Sequence, residues 1–234
     1  MYERVRAFGV PLLVLLPLAL VSTAGPSRAA ELREFAESFR YNRQQLRNYS
    51  WKSRIEVTLA GQTQAIQTFE VRYDAEGNRE KTLIASEVDP TAVRGPVRKR
   101  KASKKQKQQQ ERQAELKRLI KAYVEPDPKT SRQLFESATV WEGQGRTEGV
   151  TRVLARNVIR QGDLISLWLD SLTRNPRKLE IVTSSGGEPV KVTTEFRTLD
   201  DGAFYPAVTI IETEIKEKKL VMKTENFDYL PRGG

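Results

Sequence analysis

Along residues 49–59 apolar and polar side chains alternate. Tyr49, Trp51, Ile55, Val57 and Leu59 fall on one side, and Ser50, Lys52, Arg54, Glu56 and Thr58 fall on the other. A period of two predicts an antiparallel strand with one wet face. Ala60-Gly61-Gln62 turns the chain, after which Ala65, Phe69, Val71 and Tyr73 line one face of a second strand. Asp74-Ala75-Glu76-Gly77-Asn78 is a turn by composition, and 79–86 makes a short third strand, completing a meander. The alternation resumes near Val140, with strands expected at 149–160, 164–170, 179–183, 190–199, 208–215 and 220–227.

Two stretches switch to a helical period. In 31–46, Leu32, Phe35, Ala36, Phe39 and Leu46 share one face. The candidate at 102–124 has unlike halves. Its first half, SKKQKQQQERQ, offers no apolar stripe with which to dock, whereas Leu116, Leu119, Ile120 and Tyr123 in the second half do. Pro126 and Pro128 end it, and a short helix follows at 131–137 with Thr130 or Ser131 as its N-cap. Eight or nine antiparallel strands with two or three helices predict an α+β fold whose single large sheet curls.

The first thirty residues read differently. Arg4 and Arg6 precede an apolar run from Val10 to Val21, and Ser27 and Ala29 occupy the −3 and −1 positions of a cleavage site. This is the layout of a secretory signal peptide at 1–29. The run is 12 residues long, short of the ~20 that a membrane span needs. The expected mature protein, 30–234, is periplasmic. It carries no Cys that could be lipidated.

Composition narrows the chemistry. With no Cys and no His in 234 residues, disulfides, thiolate catalysis, the commonest metal ligand and the Ser-His-Asp triad are excluded. An enzyme would have to work through carboxylates or a Ser-Lys pair. No cofactor or metal is expected. The net charge of +10 is local: the twelve Lys and Arg between Arg94 and Lys121, opposed by Glu111 and Glu115, carry all of it.

Several stretches resemble the LolA/LolB/LppX-type superfamily of envelope lipoprotein and lipid carriers, which also includes RseB-like sensor domains. They are the N-terminal helix leading into NYSWKSRIEV, the hairpin ending VRYDAEGN, the run LISLWLDSLTRNPRKLEIVTSSGGEPVKVTTEFRTLDDGAFYPAVTIIE, and the closing KTENFDYL. These are patterns of strand and turn, not catalytic signatures. The resemblance implies an incomplete β-barrel whose concave apolar face is covered by helices and holds acyl chains. The basic insertion, at about 94–128, has no place in that pattern.

On this reading Trp51, Ile55, Val57, Phe69, Val71, Tyr73, Trp168 and Phe196 are the candidate lining of an apolar cavity. The same residues could equally form an ordinary filled core. Arg98, Lys99, Arg100, Lys101, Lys104, Lys105 and Lys107 are candidates for transient contact with an anionic membrane surface, the plainer alternative being a solvated helical hairpin. They lack the interleaved aromatics of a base-stacking segment, and no nucleic acid is expected as a partner. The Gly143-Gln144-Gly145 stretch is followed by a strand pattern, not by the helix N-terminus that a phosphate cradle needs. The expected function is non-enzymatic binding of lipid acyl chains or a lipidated protein. The alternative is an interaction or stress-sensing domain of the same fold without a ligand.

Overall fold

The computed structural model describes residues 37–88, 115, 118–119, 122–123, 130, 134, 137–142, 148–215 and 217–232. The signal-peptide pattern, the start of the first helix and the basic residues Arg98, Lys99, Arg100, Lys101, Lys104, Lys105 and Lys107 lie outside them. So does Gly143-Gln144-Gly145.

The period-two segments become one antiparallel sheet of ten strands: β1 (Tyr49–Leu59), β2 (Gln62–Tyr73), β3 (Arg79–Val88), β4 (Thr139–Glu142), β5 (Val150–Arg156), β6 (Leu164–Asp170), β7 (Pro176–Ser185), β8 (Glu188–Thr198), β9 (Phe204–Ile215) and β10 (Lys218–Pro231). Their order is β3-β2-β1-β10-β9-β8-β7-β6-β5-β4. The meander β1–β3 is therefore joined to the rest by pairing of β1 with the last strand. The sheet curls but stays open, with β3 and β4 as its edges. The tight turns follow from local chemistry. Ala60-Gly61 and Gly186-Gly187 all take positive φ, the geometry whose twist matches two-residue hairpins.

The helical residues lie over one face of this sheet. Leu119 and Tyr123, one turn apart, are buried with Val153, Ala155, Ile165, Leu167, Leu169, Ile181, Val190, Val192 and Ile211 in a single core cluster, and Leu134 packs against it. At one end the helix at 37–45 is pinned by Asn42. Its Nδ2 donates to the Phe204 carbonyl and its Oδ1 accepts from the Phe204 amide, both at 2.7 Å. A buried polar side chain is tolerable because both of its hydrogen-bonding functions are satisfied. The architecture is thus α+β, an incomplete barrel with helices on its concave face, as expected from the sequence.

Candidate ligand-binding face

One cross-strand row defines the concave face. Ala155, Ile165, Ile181, Val192, Ile211, Met222, Val57 and Ala65 pair in succession across β5, β6, β7, β8, β9, β10, β1 and β2. No bulge interrupts it, so all eight side chains point the same way. Burial changes along the row. Ala155, Ile181 and Val192 are each 1% exposed and Ile165 is 5%, whereas Met222, Val57 and Ala65 are only half-buried. The helices therefore cover the β5–β8 side of the face more fully than the β10–β1–β2 side. Ile55 and Phe69, both half-buried, belong to that second side. Leu83 of β3, paired with Phe69, is 51% exposed.

Of the sequence-derived candidates, Ile55, Val57 and Phe69 occupy this less covered stretch. Trp51 and Val71, paired with each other, share the face but are 7% and 1% exposed. Trp51 is stacked on Tyr229, with centroids 5.3 Å apart and planes at 4°, and it tilts against Tyr73 at 5.6 Å. Tyr205 closes the group, 4.1 Å from Tyr229. Trp51, Val71 and Tyr73 thus belong to an aromatic plug at one end of the face. Burial, with the neighbouring Tyr205 and Tyr73, pushes the Tyr229 phenol well above its usual range, and it stays neutral.

Two candidates sit elsewhere. Trp168 is a correction: it lies on the convex face. In β6 it alternates with the buried Leu167 and Leu169, and it pairs with Arg152 and Lys178. Their cationic heads lie 4.9 and 5.3 Å from its ring. Edge strand β4 extends the row with Trp141, which is 55% exposed. An aromatic ring between two cations is stable on a wet face, because cation–π attraction and partial burial act together. Phe196 follows a bulge and packs edge-on against Phe204, which in turn meets Phe39 of the helix at 4.9 Å. It therefore joins the helix-docking contact.

The sequence reading missed Met222, Leu83 and Tyr229. Met222 could have been found from the alternation of Leu220 and Met222 in β10. Tyr229 could not, because β10 bulges against Trp51 and Asp228 takes a positive φ, which breaks the period just before it. Among the described residues no group of three or more acidic side chains gathers as metal ligands, and no helix is long and apolar enough to cross a membrane.

No protein-family profile matches this sequence, and no curated protein sequence matches it. Two solved structures align with most of the chain. One is a LolA superfamily protein from Nitrosomonas europaea, at 12% identity and a TM-score of 0.39, covering 86% of this chain and 94% of that one. The other is named as an outer membrane lipoprotein-sorting protein domain from Vibrio parahaemolyticus, at 11% identity and a TM-score of 0.41, covering 87% of this chain and 94% of that one.

Proposed function

We propose that this protein is a non-enzymatic, exported binding protein that takes an acyl chain, of a lipid or of a lipidated protein, on the less covered stretch of its concave face. The observation that carries the reading is the unbroken apolar row, fully buried at β7 and β8 but half-buried at β10, β1 and β2. Apolar surface left at a one-sided sheet favours an apolar ligand, at about 0.8 kcal/mol for each CH₂ removed from water. Ile55, Val57 and Phe69, with Met222 and Leu83, would line it. The signal-peptide pattern at 1–29 and the sequence resemblance to envelope carriers support the same reading, including a periplasmic location and a role in lipoprotein or lipid transfer.

Lipid extraction and native mass spectrometry of the purified exported protein test it, together with uptake of a fluorescent acyl probe. Bound lipid or saturable probe uptake is expected. A protein that carries no lipid and takes up no probe would be a ligand-free interaction domain instead.

A further inference from the structure

The concave rows that cross β1 and β2 end, at the β3 edge, on cations. Arg79 pairs with Tyr73, and Lys81 pairs with Val71, itself paired with Trp51. Both side chains therefore emerge on the face that carries Phe69, and Leu83 follows two residues later opposite Phe69. One contact fixes the direction for Lys81, whose Nζ lies 5.8 Å from the centre of the Phe69 ring. Arg79, two residues earlier in β3 and paired with Tyr73, has the same parity and so lies on the same face. By contrast, the concave positions of β1 from Trp51 to Leu59 and of β2 from Ala65 to Tyr73 hold no charge.

Inward-pointing charges on an edge strand also discourage pairing with another sheet. That role needs a charge somewhere along the strand, and Glu80 and Glu87 already supply it on the other side of β3. It does not require two cations bordering the half-buried apolar stretch.

Building on the acyl-binding reading above, we propose that Arg79 and Lys81 form the head-group end of the site, so that the ligand is an acyl chain ending in an anion, a carboxylate or a phosphate. The chain runs from Lys81 past Phe69 and Ile55 to Val57. At the spacings of a sheet this diagonal is roughly 20 Å, long enough for a full-length acyl chain. Both cationic residues are exposed, so the attraction is screened by salt over about 10 Å at 0.1 M.

The test compares the exported protein with an Arg79→Gln/Lys81→Gln variant. Each is titrated with three fluorescent probes of one chain length: a free fatty acid, the corresponding alkyl phosphate and the methyl ester. The expected result is a wild-type preference for one or both anionic probes, with the better head identifying the ligand's own. The variant should lose about tenfold for the preferred probe, the combined worth of two exposed ion pairs, and should bind the ester unchanged. High salt should reproduce the loss in the wild type. Thermal melting checks that the variant is folded, and an Arg79→Glu/Lys81→Glu variant should deepen the loss on the anionic probes only. Equal effects on anionic and ester probes, or no effect on either, would leave the cations as edge guards and overturn the proposal, while acyl binding itself stands. A wild type that binds no probe overturns both.

Discussion

Asp163 is 2% exposed and sets the corner between β5 and β6. Its Oδ2 accepts the amides of Ile159 and Arg160 at 2.9 and 2.7 Å. Its Oδ1 accepts the Thr183 hydroxyl, and Thr183 Oγ1 accepts from the Tyr123 hydroxyl at 3.1 Å. Removing the carboxylate leaves buried donors unpaired, so Asp163→Ala should destabilise the protein by about 3 kcal/mol. A urea melt unchanged within 0.5 kcal/mol, the usual range of an inert surface change, would show the corner holding without it. Asp170 offers a pH readout. The Thr173 amide foremost, then the Arg177 guanidinium at 2.5 Å, holds its carboxyl well below the usual carboxylate range. A depressed pKa adds stability above the unfolded value of about 3.9, and that stability is lost as pH falls below it. Denaturation from pH 6 downward should therefore show the wild type more stable than Asp170→Asn, with the gap closing through the acidic range. The two tryptophans make a third contrast. Trp51, buried and stacked, should cost about 3–5 kcal/mol when replaced by Ala. Trp168→Ala should cost less and leave acyl-probe binding unchanged, because its ring faces Arg152 and Lys178 on the other side of the sheet. Loss of probe binding in Trp168→Ala would contradict that placement. The parity that puts Trp168 outside was already present in Leu-Ile-Ser-Leu-Trp-Leu-Asp. Aromatic bulk argued for the core, and only the register to Arg152 and Lys178 reveals what stabilises it outside.

At the scale of elements, most strands were legible, because a one-sided sheet imposes a period of two. β1 keeps its expected bounds, and β6 does too. The departures have local causes. β5 stops at Arg156, since Asn157 takes a φ of +54° to enter the corner that Asp163 organises. β9 begins at Phe204, earlier than expected, because Asn42 engages the Phe204 backbone from a distant helix. β10 runs past Phe227 to Pro231 through its bulge. Local periodicity carries no trace of the β1–β10 pairing that joins the meander to the main sheet, nor of the side of the face the helices leave less covered. Docking of the helical residues Leu119 and Tyr123 was legible in their apolar spacing: Leu119 is 5% exposed and Tyr123 is 7%. Arg160 adds a polar tie, with Nη2 donating to Glu115 at 3.3 Å and Nη1 to the Ser184 carbonyl at 2.7 Å. Leu119→Ala should cost about 2–3 kcal/mol, and Tyr123→Phe about 1 kcal/mol for the lost bond to Thr183. If these residues hold the helix down, hydrogen exchange in both variants should speed up first at 115–123. Uniform acceleration across the sheet would mean that helix and sheet open as one unit.

For the whole molecule, charge and core occupy different parts of the chain. The segment from Arg94 to Lys121 carries a charge equal to the full +10, while of its residues only Leu119 enters the described core cluster. Residues 98–107, RKRKASKKQK, contain one Ala and no larger apolar side chain. They can recover little of the ordering entropy, about 1–2 kcal/mol per residue, by burial. Deleting 98–107 should therefore leave the melting temperature within about 2 °C of the wild type, which for a domain of this size corresponds to less than 1 kcal/mol. We further propose that these cations bring the protein to an anionic membrane surface, where each Lys or Arg near the headgroups is worth about 1 kcal/mol. The deletion should then weaken sedimentation with vesicles rich in phosphatidylglycerol, leave binding to phosphatidylcholine vesicles unchanged, and mimic the effect of high salt on the wild type. Acyl-probe affinity in solution should stay the same, since Arg79 and Lys81 lie outside the deleted stretch. A folded deletion variant that still sediments with anionic vesicles as the wild type does would remove the membrane role. An unfolded one would mean that the sheet depends on a segment whose sequence gives it almost nothing to bury.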